Sequence, residues 1–299
     1  MTARAVRRRR LVRAFVAWLA VALVVLLYGM VWEPRRLVER DYVLSPPHWP
    51  AACDGLRLDH VTDVHTGSPG NGLDNLDRIV ARLVASDSDA VVLTGDYVIL
   101  SVLGGRYVTA ERVAPRVRRL TARKPVFAVL GNHDWWKNGH EVRRALESAG
   151  VVVLEDQARR VRLRGCDMWM VGIGDLWTAP HDVRRAFSTL TGEAPAVVLT
   201  HNPALWPKVP PRASLVLAGH THGGQISLPG VGQPARWGRP ENRYIRGIYA
   251  ENGRLLFVSP GIGTSILPLR LGVPPEISRL TLRARPVSAT PPGAAKPAS

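Results

Sequence analysis

Five short segments of this chain share one chemical vocabulary: Asp63-Val64-His65, Gly95-Asp96, Gly131-Asn132-His133-Asp134, His201-Asn202 and Gly219-His220-Thr221-His222. Each carries Asp, Asn or His, and each stands at or just past a run of strand-forming residues. Oxygen ligands suit hard divalent cations, and imidazole suits Mn, Fe, Zn and Ni. Asp63, His65, Asp96, Asn132, His201, His220 and His222 make seven candidate ligands, more than one ion takes and enough for two. Two ions about 3.5–4 Å apart can clamp both the attacking and the leaving oxygen of a phosphoryl displacement. Hydrolysis of a phosphate ester is the chemistry this set predicts.

Taken singly, several of these residues have ordinary readings. Asp96 after Gly95 is equally a turn residue, and His201 before Asn202-Pro203 is equally a strand-end cap. The five segments together point to metal-assisted chemistry. His48, His60, His140, His181 and Asp59 fit no segment and read as surface or packing residues. Trp135-Trp136 follows the third segment directly and has two uses, core packing or the lining of an apolar substrate channel.

The elements that must position these residues alternate. Residues 56–62 alternate apolar and polar and lead into Asp63; residues 72–85 have helical spacing; residues 90–93 form a short buried strand before Gly95. A basic amphipathic helix over 110–120 contains Pro115, a strand over 126–130 ends at Gly131-Asn132, and a helix over 142–149 precedes a strand over 151–154. Residues 161–163 and 168–172 read as a hairpin around Gly165-Cys166-Asp167. Strands over 196–199 and 215–217 deliver His201 and His220, and strands over 254–258 and 277–282 close the domain. This order predicts an α/β domain. In open α/β sheets ligands collect beyond the carboxyl ends of the strands, where Gly95, Gly131 and Gly219 allow close backbone approach.

The order Asp-x-His, Gly-Asp, Gly-Asn-His-Asp, His, Gly-His-Thr-His resembles the calcineurin-like metallophosphoesterase superfamily, over about residues 56–282. The run from Ala218 to Gln225, and the stretch from Gly261 to Ile277, resemble its membrane-anchored bacterial branch, the YkuE-type phosphohydrolases. The resemblance implies two packed sheets flanked by helices, with one cleft at one end. It implies two divalent ions (Mn, Fe or Zn), the first held by Asp63, His65 and His222 and the second by Asn132, His201 and His220. Asp96 would bridge them. His133 would contact phosphate or act as general acid, and Asp134 would hold its imidazole. Tyr97-Val98-Ile99 and Ser259-Pro260-Gly261 depart from the superfamily pattern, where an aliphatic residue with a later Asp, and a basic residue, are usual.

Residues 1–13 hold six Arg and no acid, and residues 14–32 follow as nineteen residues without a charge. A bilayer core needs about 20 apolar residues in a helix. The arginine flank then keeps the N-terminus in the cytoplasm and sends the catalytic domain outward. Arg8-Arg9-Arg10-Leu11-Val12-Arg13 also resembles a twin-arginine export signal. The apolar run is longer than a signal h-region and lacks a small-x-small site, so an uncleaved anchor is expected. Residues 33–55 read as a connector with strand character at 42–45, residues 56–283 as the catalytic domain, and residues 284–299 as a disordered Pro- and Ala-rich tail.

The net charge is +16, and only four of the 40 basic residues are Lys. Such a surface suits anionic lipid or nucleic acid, and an indifferent Arg-rich chain shows the same. Two cysteines, Cys53 and Cys166, exclude a Cys-rich zinc module; an exported domain would allow them to pair, and the sequence leaves that open. The expected substrate is a phosphodiester, a pyrophosphate or a lipid-linked phosphoester at the membrane. The alternative is a nuclease or nucleotide phosphodiesterase of the same superfamily, against which the anchor argues. A degenerate, non-enzymatic scaffold would have lost ligands, and none of the seven is missing.

Overall fold

The computed structural model describes residues 3–234 and 243–284. Helix α1 (Ala3–Leu27) runs on through a π-helical turn, Tyr28–Trp32, and a 3-10 turn, Glu33–Arg35. Its apolar side chains are exposed almost throughout, and the helix is long and apolar enough to cross a membrane. Then follow β1 (Val38–Leu44), β2 (Leu56–Val61), α2 (Leu73–Ala85), β3 (Ala90–Thr94), α3 (Ala110–Thr121), β4 (Val126–Val129), α4 (Asn132–Ser148) and β5 (Val152–Val153). The second half comprises β6 (Gln157–Leu163), β7 (Cys166–Ile173), α5 (Val183–Phe187), β8 (Ala196–Thr200), β9 (Leu215–Ala218), β10 (Gly247–Glu251), β11 (Arg254–Val258) and β12 (Glu276–Leu282).

Two sheets form. The first runs β1-β12-β2-β3-β4-β5 and the second β10-β11-β9-β8-β7-β6. β2, β3, β4 and β5 are mutually parallel, as are β7, β8, β9 and β11. Because successive strand side chains point to opposite faces, each central strand feeds two cores. Val92 of β3, with Val197 and Leu199 of β8, enters the layer between the sheets. Val91 and Leu93 meet the outer helices α2, α3 and α4, and Val198 and Val216 meet α5 and the 3-10 turn Pro203–Lys208. The result is a helix–sheet–sheet–helix stack, as expected. α2 buries Leu76, Ile79, Val80 and Leu83 on one stripe, the spacing of a helix lying on a sheet. Pro115 sits inside α3 on its exposed side, and the helix starts ahead of it at Ala110.

The expected connector over 33–55 is corrected by the structure. β1 pairs with β12 along its whole length, from Val38 against Glu276 to Leu44 against Leu282. Leu44, Trp49 and Cys53 are buried in the core between the sheets. A segment that completes a sheet and fills the core belongs to the domain. β10 was not anticipated: as an edge strand its residues alternate between half-buried and exposed and give a weak pattern. The tail expected from residue 284 lies outside the described residues beyond Ala284.

Cys53 and Cys166 form a disulfide, 113 residues apart in sequence. It ties the turn before β2, on the first sheet, to the start of β7, on the second. A cross-link that closes so long a loop removes much of the unfolded chain's freedom, typically worth about 2–4 kcal/mol. Cys53→Ser is therefore expected to lower unfolding stability by about that amount. Urea titration with and without reductant checks this: reductant should shift the wild-type midpoint and leave that of the variant in place.

Candidate metal centre

The five segments meet at one place because their strands are parallel. Asp63 and His65 follow β2, Asp96 follows β3, and Asn132, His133 and Asp134 follow β4 and open α4. His201 follows β8, and His220 and His222 follow β9. β2, β3 and β4 are neighbours in one sheet, and β8 and β9 are neighbours in the other. Their carboxyl ends face each other across the inter-sheet core. Asp63, His65, Asp96, Asn132, His201 and His222 are buried, and the His220 side chain lines the mouth.

The backbone is bent sharply to do this. Asp63, His65, Asp96, His220 and His222 all have positive φ, between 45° and 69°. Non-glycine residues in this region are uncommon, and such strain clusters at functional sites. The adjacent glycines answer a steric demand. A Cβ on Gly131 would lie 2.2 Å from Asp96 Oδ1, and one on Gly219 would lie 2.4 Å from Asp63 Oδ2. The carboxylates rest directly on these glycine Cα atoms.

Two groups of donors converge on Asp96. Its Oδ2 lies 3.2 Å from His65 Nε2 and 3.3 Å from His201 Nε2. On one side, Asp63 Oδ1 lies 3.3 Å from His222 Nε2 and 3.9 Å from His65 Nε2. On the other, Asn132 Oδ1 lies 3.1 Å from His201 Nε2 and 3.0 Å from His220 Nδ1. Second partners orient the rings: His201 Nδ1 bonds Thr94 O at 2.7 Å, and His222 Nδ1 bonds Gly263 O at 3.2 Å. Each of these two rings is fixed through Nδ1 by a main-chain carbonyl, which leaves Nε2 facing the site, as in histidine ligands of metals. The remaining carboxylate oxygens are held by Thr62 Oγ1–H and His220 N–H on Asp63 Oδ2, and by His133 N–H on Asp96 Oδ1.

The electrostatics of the set call for positive charge. Burial pushes Asp63 up from the ordinary carboxylate range, with Asp96 adding to the push. Burial would raise Asp96 too, but His201 and His65 outweigh it and hold Asp96 well below that range. Burial opposes charge on His201, yet Asp96 and Asp63 raise it to about 10. His220 is pushed down to about 3 by burial and by His201. Asp63 Oδ1 and both ring nitrogens of His65 are buried without a hydrogen-bond partner. Aligned oxygen and nitrogen donors with orphaned lone pairs and buried negative charge fit divalent cations. Three triads, Asp63-His65-His222, His65-Asp96-His133 and Asp63-Asp96-His201, each bring ligand atoms within 4.8 Å of one another.

His133 and Asp134 differ from expectation in one respect. Asp134 does not hold the His133 imidazole. As the third residue of α4, its Oδ2 accepts from Gly131 N–H at the helix start and from Asp96 N–H, and its Oδ1 accepts from Tyr97 N–H. It caps the helix and ties the β3 loop to the β4 loop. The His133 ring is placed by Leu100 N–H, which donates to Nδ1 at 3.2 Å. Burial, chiefly, pushes His133 down to about 4.

The mouth is a cleft of about 420 Å³ lined by Asp96, Asn132, His133, His220 and His222, with Leu100, Trp136, Trp177 and Ile266 around them. The tryptophan pair divides its work. Trp135 packs on the first core, while Trp136 reaches the cleft and stacks on Trp177 at 6.3 Å. Trp177 also meets His220 edge-on at 4.4 Å. Sequence reading missed Trp177 and the residue that fixes it, Asp175, whose Oδ2 accepts from Trp177 N–H and Thr178 N–H. The signal was there: Gly174-Asp175 follows β7 as Gly95-Asp96 follows β3. Of the histidines outside the segments, His60 is a core residue, its Nε2 2.8 Å from Thr94 Oγ1.

Residues 56–224 match the family model of the calcineurin-like phosphoesterases. The chain is 28% identical over 259 residues to the metallophosphoesterase YkuE of Bacillus subtilis, covering 86% of this chain and 89% of that protein. It is 32% identical over 207 residues to the phosphodiesterase YaeI of Escherichia coli, covering 68% and 73%. It is 25% identical to the UDP-2,3-diacylglucosamine pyrophosphatase LpxG of Chlamydia trachomatis, covering 82% and 89%. The matched span contains every strand end that carries a candidate ligand, so the chain belongs to the calcineurin-like phosphoesterase family and is a metallophosphoesterase.

Proposed function

We propose that this protein hydrolyses phosphodiester, pyrophosphate or lipid-linked phosphoester bonds at a membrane surface, using a two-cation centre and an uncleaved N-terminal anchor. The observation that carries the reading is the place of Asp96, whose Oδ2 stands within 3.3 Å of a ring nitrogen from each donor group. Asp63, His65 and His222 would hold one divalent cation, Asn132, His201 and His220 would hold the other, and Asp96 would be shared. Mn, Fe and Zn all suit this donor set. Bound there, the cations supply Lewis acidity toward a phosphoryl oxygen and toward water.

The chain's own groups do the rest. Leu100 N–H occupies His133 Nδ1, so the neutral ring carries its proton on Nε2. That proton is available to a phosphoryl or leaving-group oxygen, which favours the phosphate-contacting role of His133. Asp134 fixes the two loops that carry Asp96 and Asn132. Trp136 and Trp177 cover the apolar side of the cleft and limit water there.

The lining favours a lipid-linked substrate over a nucleic acid. None of the described residues that line the cleft is Lys or Arg, whereas a strand-tracking groove is lined by positive charge. One relative is named for a diacylated sugar nucleotide. The Cys53–Cys166 disulfide supports an oxidising compartment for the domain, in line with the arginine flank on the other side of the apolar helix.

Three outcomes are expected. Chelator added to detergent-solubilised full-length protein abolishes hydrolysis of a chromogenic diester, and Mn restores it; chelator-resistant turnover would end the metal mechanism. Asp96→Asn lowers both activity and bound metal, and costs more activity than His133→Ala, whose loss is about 10²–10⁴-fold at saturating metal. Equal metal content in wild type and Asp96→Asn would remove Asp96 from the shared position. Protease added to spheroplasts digests the catalytic domain while cytoplasmic markers survive, and alkaline washing leaves the full-length chain in the membrane. A protected domain would reverse the orientation.

A further inference from the structure

The last turn of the apolar helix is packed onto the domain. Arg270 N–H donates to Gly29 O at 2.9 Å, and a Cβ on Gly29 would lie 2.6 Å from Leu269 Cδ1. Buried Glu33 accepts from Gly272 N–H at 3.0 Å. Residue 29 lies within the apolar run, so in a bilayer the residues that touch it stand at the boundary of acyl chains and headgroups. Ile266 and Leu267 come just before Leu269, within roughly 10 Å by chain length. The headgroup layer on each side of a bilayer is itself roughly 5–8 Å deep.

These two residues are apolar and uncovered: Ile266 is 75% exposed and Leu267 51%. Ile266 also holds a φ of 64°, an outlier for a β-branched side chain. Exposure and strain together do nothing for the stability of the domain in water. Leu103 N–H donates to Ile266 O at 3.1 Å, which sets Leu103, 64% exposed, on the same rim. Ser265 and Ile266 from one loop, with Leu100 and Ser101 from the other, form a wall of the metal cleft. Exposed cations border the patch: Arg106 lies on the second loop, the Arg35 side chain lies against Gly70, and Lys137 Nζ sits 4.0 Å from the centre of the Tyr107 ring. Aliphatic and aromatic side chains edged by Arg and Lys are the composition of a protein surface at the headgroup level.

We infer that residues 100–107 and 265–269 form a second membrane contact, seated in the leaflet from which the anchor emerges, so that the metal cleft opens onto the headgroup layer. The inference rests on the anchored reading above and gives it a geometry. Phosphate groups held at that level reach the metal ligands while their acyl chains stay in the bilayer. The occupant of the patch is the lipid surface, because the patch continues the surface of the helix end that is itself in the bilayer.

The test uses full-length protein reconstituted in phosphatidylethanolamine–phosphatidylglycerol vesicles. Nitroxide labels are placed singly at Val21→Cys, Leu103→Cys, Leu267→Cys and Asn252→Cys, all exposed positions where a label displaces no core packing. Depth is read from collision with oxygen against a water-soluble nickel chelate. The expected result places residue 21 in the acyl core, residues 103 and 267 at the headgroup boundary, and residue 252 in water. Residue 21 in the acyl core with residues 103 and 267 in water overturns the second contact and leaves the anchor standing. Residue 21 in water overturns the anchor and the inference with it.

Discussion

Two carboxylates, Asp63 and Asp96, are buried side by side at the meeting of two sheets, and the rest of the domain is arranged around that cost. Taking even one carboxylate out of water is expensive, and two near one another repel in a medium that screens weakly. The chain offsets this locally with N–H and O–H donors on one oxygen of each, and leaves the other oxygens aimed at imidazoles. Holding that geometry requires strand ends that do not move. The layer between the sheets supplies the stiffness, with Leu58, Val92, Val129, Leu199 and Leu217 buried directly behind the ligand loops. The helices on the outer faces serve the site at one remove, by keeping those strands in register.

This division explains what the sequence disclosed. Strands covered on both faces are short continuous apolar runs, so β3, β4, β8 and β9 could be placed almost to the residue. Their ends carry candidate ligands, and the side chains of all seven candidates lie close together in space. Edge strands carry no such signal. β1 exposes most of its residues and in sequence reads in part as a connector, although its pairing with β12 makes it a full member of the sheet. Asp175 went unnoticed because its Gly-Asp pair holds a loop rather than facing the donors, and residue type alone does not distinguish the two.

Asp134 shows the limit of adjacency as a guide. In sequence it follows His133, and a carboxylate beside an imidazole reads as its support. In the structure the two residues open a helix, where consecutive side chains point about 100° apart. The carboxylate turns back to the helix N-terminus and collects amide hydrogens from two loops, the arrangement a helix start favours. His133 is then oriented by a main-chain amide from a third place, Leu100. The same amide belongs to the loop whose apolar tip borders the cleft, so the pose of His133 and the shape of the rim are set together.

A parallel link runs on the opposite wall. Gly263 O accepts from His222 Nδ1 and also from the Arg270 guanidinium, which is fully buried and bonds Pro260 O and Val273 O as well. A guanidinium whose donors end on main-chain carbonyls acts as a brace, fixing the loop over 260–273 into one shape. The main-chain N–H of Arg270 donates in turn to Gly29 O in the last turn of the apolar helix. The orientation of one candidate ligand, the fold of the cleft wall and the seating of the helix on the domain thus pass through a single residue. Sequence patterns do not reveal this, because a buried arginine in an otherwise loop-like stretch looks the same as an exposed one. Its meaning comes from the carbonyls that surround it.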